Sequence, residues 1–241
     1  MPTAIVSGGA SGIGRAVCEV LARAGWQVAV GDRDAAGAKA VAAACGGAGF
    51  ELDVADETSV IGFFERAVAA FGGRLDALAT VAGIVDITPF LEISVTTFRR
   101  LYDVNLIGTY LCIREAAKYM TAGARICTVS SVAGKRGGGL TGTAAYAASK
   151  GAVLALSRNA ARSLAAQGIA VNCIAPGATL TPMIRAAVAD ELQYARVTAL
   201  TALGRLAEPT EIAETIAWLL SPKSSYVDGE TLTVDGGMMM D

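Results

Sequence analysis

The chain has 241 residues, 53% of them hydrophobic and 17% charged, which is apolar material enough for a large interior and too little charge for a disordered chain. Lys and Arg number 20 against 22 Asp and Glu, a formal net charge of −2 with no basic block, so neither nucleic acid nor an anionic membrane surface is expected as partner. No apolar run approaches the ~18 residues of a membrane-spanning helix, and the start, MPTAIVSGG, lacks the features of a secretion signal, so a cytoplasmic protein is expected.

Strand and helix signals alternate along the chain. TAIVS (Thr3 to Ser7) is a short β-rich run closed by glycines. Ile13, Ala16, Val17, Val20 and Leu21 then recur at helical spacing up to Gly25. A strand over Trp26 to Asp32, an Ala-rich helix around Ala35 to Ala44 and a strand over Phe50 to Val54 come next. Val60, Phe63, Phe64, Ala67, Val68 and Phe71 form one helical stripe. After it stand a strand over Leu75 to Val81, a long helix over roughly Thr96 to Met120 and a strand over Arg125 to Ser131. A Gly-rich loop leads to an Ala-rich helix, a strand over Ile169 to Gly177, a helix over Pro209 to Leu220 and a last strand in TLTVDGG. Buried strands alternating with helices predict an α/β fold: one doubly wound, Rossmann-type domain, with a mostly parallel sheet and helices on both faces. It spans residues 1–241, with a small excursion at about 180–205.

The five cysteines, Cys18, Cys45, Cys112, Cys127 and Cys173, are scattered and form no C-x-x-C pair. That pattern suits a reducing compartment and buried packing, and no metal site is expected.

SGGASGIG (Ser7 to Gly14) lies where the first strand meets the first helix. Glycines there turn the backbone sharply and admit a pyrophosphate, while the helix N-terminus offers free N–H groups. The context predicts dinucleotide binding. Asp32 ends the second strand 18 residues after Gly14, where a carboxylate accepts from both hydroxyls of an adenosine ribose and repels a 2′-phosphate. Arg33 is next in the chain and argues the other way.

TAAYAASKGAV (Thr143 to Val153) sets Tyr146 and Lys150 one helical turn apart, with Ser149 between them. The chain contains no histidine, so acid–base work near neutral pH needs another residue.

Together the motifs resemble the classical short-chain dehydrogenase/reductase family over essentially the whole chain. The resemblance rests on Gly8-Gly12-Gly14, LDV with Asp53, Asn105 in DVNLIGTY, Ser131 in VSSVAG, Tyr146-x3-Lys150, APG (Ala175 to Gly177) and VDGG. It implies an NAD-dependent oxidoreductase interconverting a secondary alcohol and a ketone, with hydride passing at the nicotinamide C4. Tyr146 would be the acid–base residue, its pKa drawn from near 10 towards 7 by the Lys150 ammonium. Ser131 would hold the substrate oxygen, and Asn105 would brace a helix turn and hold a water linking Lys150 to solvent. Lys150 would also bond the nicotinamide ribose.

The resemblance further implies cofactor contacts from Ser7, Gly8, Ser11, Gly12, Ile13, Gly14, Asp32 and Arg33. Asp53 and Val54 would flank the adenine, Ala82 and Gly83 would run along the cofactor, and Pro176, Gly177, Thr179 and Thr181 would meet the nicotinamide, beside Tyr146 and Lys150. A homo-oligomer, most often a tetramer, is implied through the helices Thr96–Met120 and Ala145–Ala165.

Three departures stand out: Ser7 where the family has Thr, TVAG (Thr80 to Gly83) where it has Asn-Asn-Ala-Gly, and 15 residues from Ser131 to Tyr146 where it commonly has 13. Ser130 is the alternative serine. The substrate pocket is expected from Ile84 to Phe90, Val132 to Thr141 and Met183 to Leu203, mostly apolar and suited to a modest-sized alcohol or ketone. Arg185 and Arg196 are the candidates for an anionic group there. A non-catalytic dinucleotide sensor on the same fold is the alternative function. An extended epimerase would need a longer chain and a different glycine spacing.

Overall fold

The computed structural model describes residues 1–138, 143–185, 188 and 190–240. Seven strands form one parallel sheet: β1 (Thr3–Ser7), β2 (Gln27–Asp32), β3 (Ala48–Glu51), β4 (Ala77–Thr80), β5 (Arg125–Val129), β6 (Ala170–Pro176) and β7 (Thr231–Val234). Their order is β3-β2-β1-β4-β5-β6-β7, so the winding reverses between β1 and β4. In open α/β sheets ligands bind in the crevice outside the strand ends at such a reversal.

Helices cover both faces, because β1 and its neighbours send alternate apolar side chains each way. Ala4 and Val6 pack with α1 (Gly12–Arg23), α2 (Ala35–Ala44) and α10 (Pro209–Leu220). Ile5 and Leu78 pack on the other face with α3 (Glu57–Ala70), α5 (Gly108–Ala117) and α7 (Ala144–Leu164). Phe63 and Phe64 of α3 are wholly buried there in an edge-to-face pair with ring centroids 5.4 Å apart.

Three elements differ from the sequence reading. The third strand is Ala48–Glu51, so Leu52, Asp53 and Val54 have already left the sheet and turn towards the crevice. The long helix is broken: α4 (Val95–Tyr102) passes into a π-helical turn, Asp103–Ile107, before α5 begins. Within the expected loop after β5 a short helix forms, α6 (Val132–Arg136), because Ser131 caps its start and Gly137, at φ 85°, ends it in the left-handed conformation. The excursion contains α8 (Pro182–Arg185) and α9 (Glu191–Thr198). Leu140 and Thr141, expected in the pocket, lie outside the described residues.

Candidate active site and cofactor groove

The glycine loop is shaped by contact rather than by sequence pattern alone. A Cβ on Gly14 would stand 2.0 Å from the carbonyl oxygen of Gly8, and one on Gly8 would stand 2.6 Å from the backbone of Ala82. Only glycine lets the loop fold on itself and sit against the end of β4. Ser11, the N-cap of α1, makes no side-chain bond to the first turn, which also has no acidic residue. By contrast α2, α3 and α4 are capped by Asp34, Asp56 and Ser94. The N–H groups that open α1 are thus left pointing out, as an anion site requires.

Asp32 marks the far end of this groove. Its carboxylate accepts from the N–H of Ala10 and from that of Asp34, both at 3.0 Å, so it is pinned to the glycine loop. The groove holds about 300 Å3 and is lined by Gly8, Ser11, Gly12, Ile13, Gly14, Asp32, Arg33, Asp53, Val54, Ala82, Gly83 and Thr181, among others. These residues fit an adenine dinucleotide: apolar walls at Leu52 and Val54, ribose acceptors at Asp32, and the open helix end for the pyrophosphate. Ser7 lies apart from them, buried within β1.

The groove continues into a second cleft of about 120 Å3, the two sharing Ile13, Val81, Gly83, Thr181 and Met183. Ser131, Tyr146, Lys150, Pro176, Gly177 and Thr179 line this cleft. α7 brings Tyr146, Ser149, Lys150 and Val153 onto one buried face, the i, i+3, i+4, i+7 stripe of a helix packed on a sheet.

Each polar group on that face has a defined task. Lys150 Nζ donates to the carbonyl of Val129 at 2.9 Å. Ser130, the alternative serine, is committed to donating its hydroxyl to the Lys150 carbonyl at 2.7 Å. Ser131 accepts from the N–H of Ala133 at 3.1 Å and stands beside Tyr146, whose phenolate its hydroxyl favours. Asn105, fully buried in the π-helical turn, accepts from the N–H of Ile84 at 2.8 Å and donates to the Ile84 carbonyl and the Ser149 hydroxyl, each at 3.0 Å. A π turn inserts one residue into the helical ladder and rotates the residues beyond it, which carries the amide inward.

Burial raises the Tyr146 hydroxyl above its ordinary value of 10, and the neighbouring Ser131 hydroxyl offsets this only in part. Burial also lowers Lys150, to about 8. Both shifts come chiefly from desolvation, which disfavours the charged form of each group. Thr80, which stands where the family has asparagine, leaves its buried hydroxyl with no partner among the described residues. Arg185 and Arg196 are exposed and do not line the cleft; the arginine on its wall is Arg136, which the sequence reading did not single out. Its signal was the Ser131 cap five residues upstream, which makes Arg136 the last residue of a one-turn helix rather than part of a loop.

No helix among the described residues is long and apolar enough to cross a membrane. A parallel sheet reversing at a glycine-rich crevice, with Ser, Tyr and Lys gathered beside it, defines a dinucleotide-dependent oxidoreductase. The chain belongs to the short-chain dehydrogenase/reductase family. The family model described as enoyl-(acyl carrier protein) reductase matches residues 8–239. The chain is 42% identical to cis-4-hydroxycyclohexanecarboxylate dehydrogenase of Sinomonas cyclohexanicum, over 97% of this chain and 95% of that one. It is 40% identical to a 2,5-dichloro-2,5-cyclohexadiene-1,4-diol dehydrogenase of Sphingobium indicum, over 98% of this chain and 96% of the other. A short-chain dehydrogenase/reductase from Brucella melitensis, described as a glucose/ribitol dehydrogenase, superposes with a TM-score of 0.93 at 33% identity, covering 100% of this chain and 97% of that one.

Proposed function

We propose that this protein oxidises a ring-borne secondary alcohol to a ketone, or the reverse, with NAD as hydride partner. The observation that carries the reading is the continuity of the two clefts: Tyr146 and Ser131 stand where the groove of Gly14 and Asp32 ends. The relatives named for cyclohexane and cyclohexadiene alcohols support an alicyclic substrate. The bound nicotinamide would take or give the hydride and add positive charge beside Tyr146.

The chain's own residues do the rest. Tyr146 takes the carbinol proton in oxidation and returns it in reduction. Ser131 donates to the substrate oxygen and steadies the charge developing on it. Lys150, held by the Val129 carbonyl, supplies a cation at the floor of the cleft and a donor for the nicotinamide ribose. Asn105 fixes the turn that aligns them and holds the water leading to solvent. Thr179 and Thr181 meet the carboxamide. We further propose one catalytic domain over residues 1–241, assembled as a homotetramer in the cytoplasm.

The test monitors NADH absorbance over a panel of alicyclic alcohols, with wild type and Tyr146→Phe. The wild type should turn over at least one of them. The variant should lose roughly 10²–10⁴-fold in rate, the range for a general acid–base group, while NAD binding by calorimetry stays nearly unchanged. Full activity in the variant would remove Tyr146 from the chemistry. Tight NAD binding without turnover of any alcohol would favour the sensor reading.

A further inference from the structure

We propose that Arg136 is the substrate-selecting residue of the cleft and that it binds a carboxylate carried by the substrate away from its carbinol carbon. The inference rests on the oxidoreductase reading above and names the substrate class within it.

The wall of the cleft is apolar over Val81, Val132, Ala133, Met183 and Ile184. Among the described residues, its charged members are Lys150 and Arg136, with no carboxylate. Lys150 is already engaged with the Val129 carbonyl and is only 4% exposed. Arg136 has no ion-pair or hydrogen-bond partner among the described residues. Among the described residues of the cleft, nothing competes with a ligand for this charge.

Its place is fixed by the short helix that carries it. α6 is seated on α7 so closely that a Cβ on Gly134 would stand 2.6 Å from the backbone of Lys150 and Gly151. Successive helical residues point about 100° apart. Lys135 accordingly reaches away to the Thr233 hydroxyl at 2.8 Å, while Arg136 faces the cleft. Ser131 caps the opposite end of the same helix. Five residues of helix rise about 7.5 Å, so one rigid element spaces the backbones of Ser131 and Arg136 by about that much. A planar guanidinium takes a carboxylate through two parallel N–H bonds. That spacing suits an acid group several bonds from the carbinol better than one on the adjacent carbon.

The test uses a matched pair, 4-hydroxycyclohexanecarboxylate and its neutral isostere 4-hydroxycyclohexanecarboxamide, with wild type, Arg136→Gln and Arg136→Lys. In wild type kcat/KM should favour the acid. Arg136→Gln should lower the acid-to-amide ratio roughly 10–100-fold, the worth of a charge-assisted hydrogen bond, and Arg136→Lys should restore part of it. A ratio unmoved by Arg136→Gln would overturn the proposal. A second measurement needs no turnover: calorimetric binding of cyclohexanecarboxylate and cyclohexanecarboxamide to the NAD-saturated protein. Acid-selective binding that Arg136→Gln abolishes would sustain the anion site even if no alcohol were oxidised, in which case the Tyr146 reading alone would fall. Equal binding of acid and amide by wild type would refute the site itself.

Discussion

Asn105 donates from Nδ2 to the Ser149 hydroxyl at 3.0 Å, and Ser149 passes its own proton on to the carbonyl of Tyr146 at 2.8 Å. The π-helical turn is thereby tied to the helix that carries Tyr146, and through Ile84 to the end of β4. One amide thus couples the crevice to the cleft. Asn105→Ala strips partners from the N–H and carbonyl of Ile84 and from Ser149. Since buried polar groups left unpaired cost about 1–3 kcal/mol each and water will reach some of them, a loss of about 2–4 kcal/mol is expected. Urea unfolding should show that loss, with a fall in kcat measured under folded conditions. A variant as stable and as fast as wild type would leave Asn105 without a bracing role.

Ser131 has two tasks that one substitution separates by pH. Its hydroxyl beside Tyr146 favours the phenolate, against the burial that favours the neutral phenol. Ser131→Ala should therefore raise the Tyr146 pKa. Alcohol oxidation needs Tyr146 as base, so its pH–rate profile should reach half-maximum at higher pH in the variant, in addition to a lower plateau. A lower plateau with an unmoved profile would confine Ser131 to the substrate oxygen.

Much of this was legible in the sequence because it depends on period and position. The glycine spacing placed the crevice, and Tyr146 four residues before Lys150 placed both on one helix face. The features that escaped depend on three-dimensional contact. The π turn at Asp103–Ile107 has no hydrophobic period of its own, and its apolar residues continue the stripe of the flanking helices. Asp53 and Val54 read as strand because apolar Phe50, Leu52 and Val54 alternate with Glu51 and Asp53, yet the ladder partner of β3 ends at Asp32, and the chain beyond turns towards the groove. The protonation of Tyr146 is set by how far water is excluded, which no spacing reveals. Arg136 was masked by glycines on its C-terminal side, which suggest a loop until the Ser131 cap is seen to start a helix.

Lys150 gives a prediction about stability rather than rate. Burial lowers it from its ordinary 10.5 to about 8. Below about pH 8 the folded protein holds a buried ammonium, which is a cost. Between about 8 and 10.5 the unfolded chain keeps a proton that the folded chain has released, so this group's contribution rises with pH. The whole span is worth about 3 kcal/mol. The buried thiols of Cys18, Cys112, Cys127 and Cys173, all raised by burial, work in the opposite sense above about pH 9. They are present in both proteins when wild type is compared with Lys150→Met, so the difference isolates the lysine together with its coupling to Cys173. Unfolding free energies at pH 7 and pH 10 should show wild type gaining on Lys150→Met by up to that amount. A constant difference would mean that Lys150 titrates near its ordinary value.

Asp32 sets the cofactor prediction, and its geometry sharpens it. The carboxylate lines the groove and is held by two backbone N–H groups, from Ala10 and Asp34. A side chain pinned in this way cannot swing aside for a 2′-phosphate. At ~4 Å and an effective dielectric near 20, each unit-charge pair would cost about 4 kcal/mol before solvent screens it. Arg33 lines the same groove and is exposed, so it pulls the other way once Asp32 is neutral. The loop itself offers Ala10 and Ser11 before Gly12, with no cation to assist, and Arg15 is paired with Glu19 at 2.8 Å. Wild type should therefore prefer NAD. Asp32→Ser should weaken NAD and recruit NADP through Arg33. It also removes the brace on Ala10, so part of the NAD loss will come from a looser glycine loop. Asp32→Asn separates the two effects: its amide oxygen still accepts one of the N–H bonds, while the charge is gone. Comparing kcat/KM for both cofactors across the three proteins, the NADP-to-NAD ratio should rise in both variants, and absolute NAD activity should fall further in Asp32→Ser than in Asp32→Asn. A wild type that already favours NADP, or a ratio unmoved by either substitution, would show that selection lies elsewhere in the groove and leave Asp32 only its role in holding the loop.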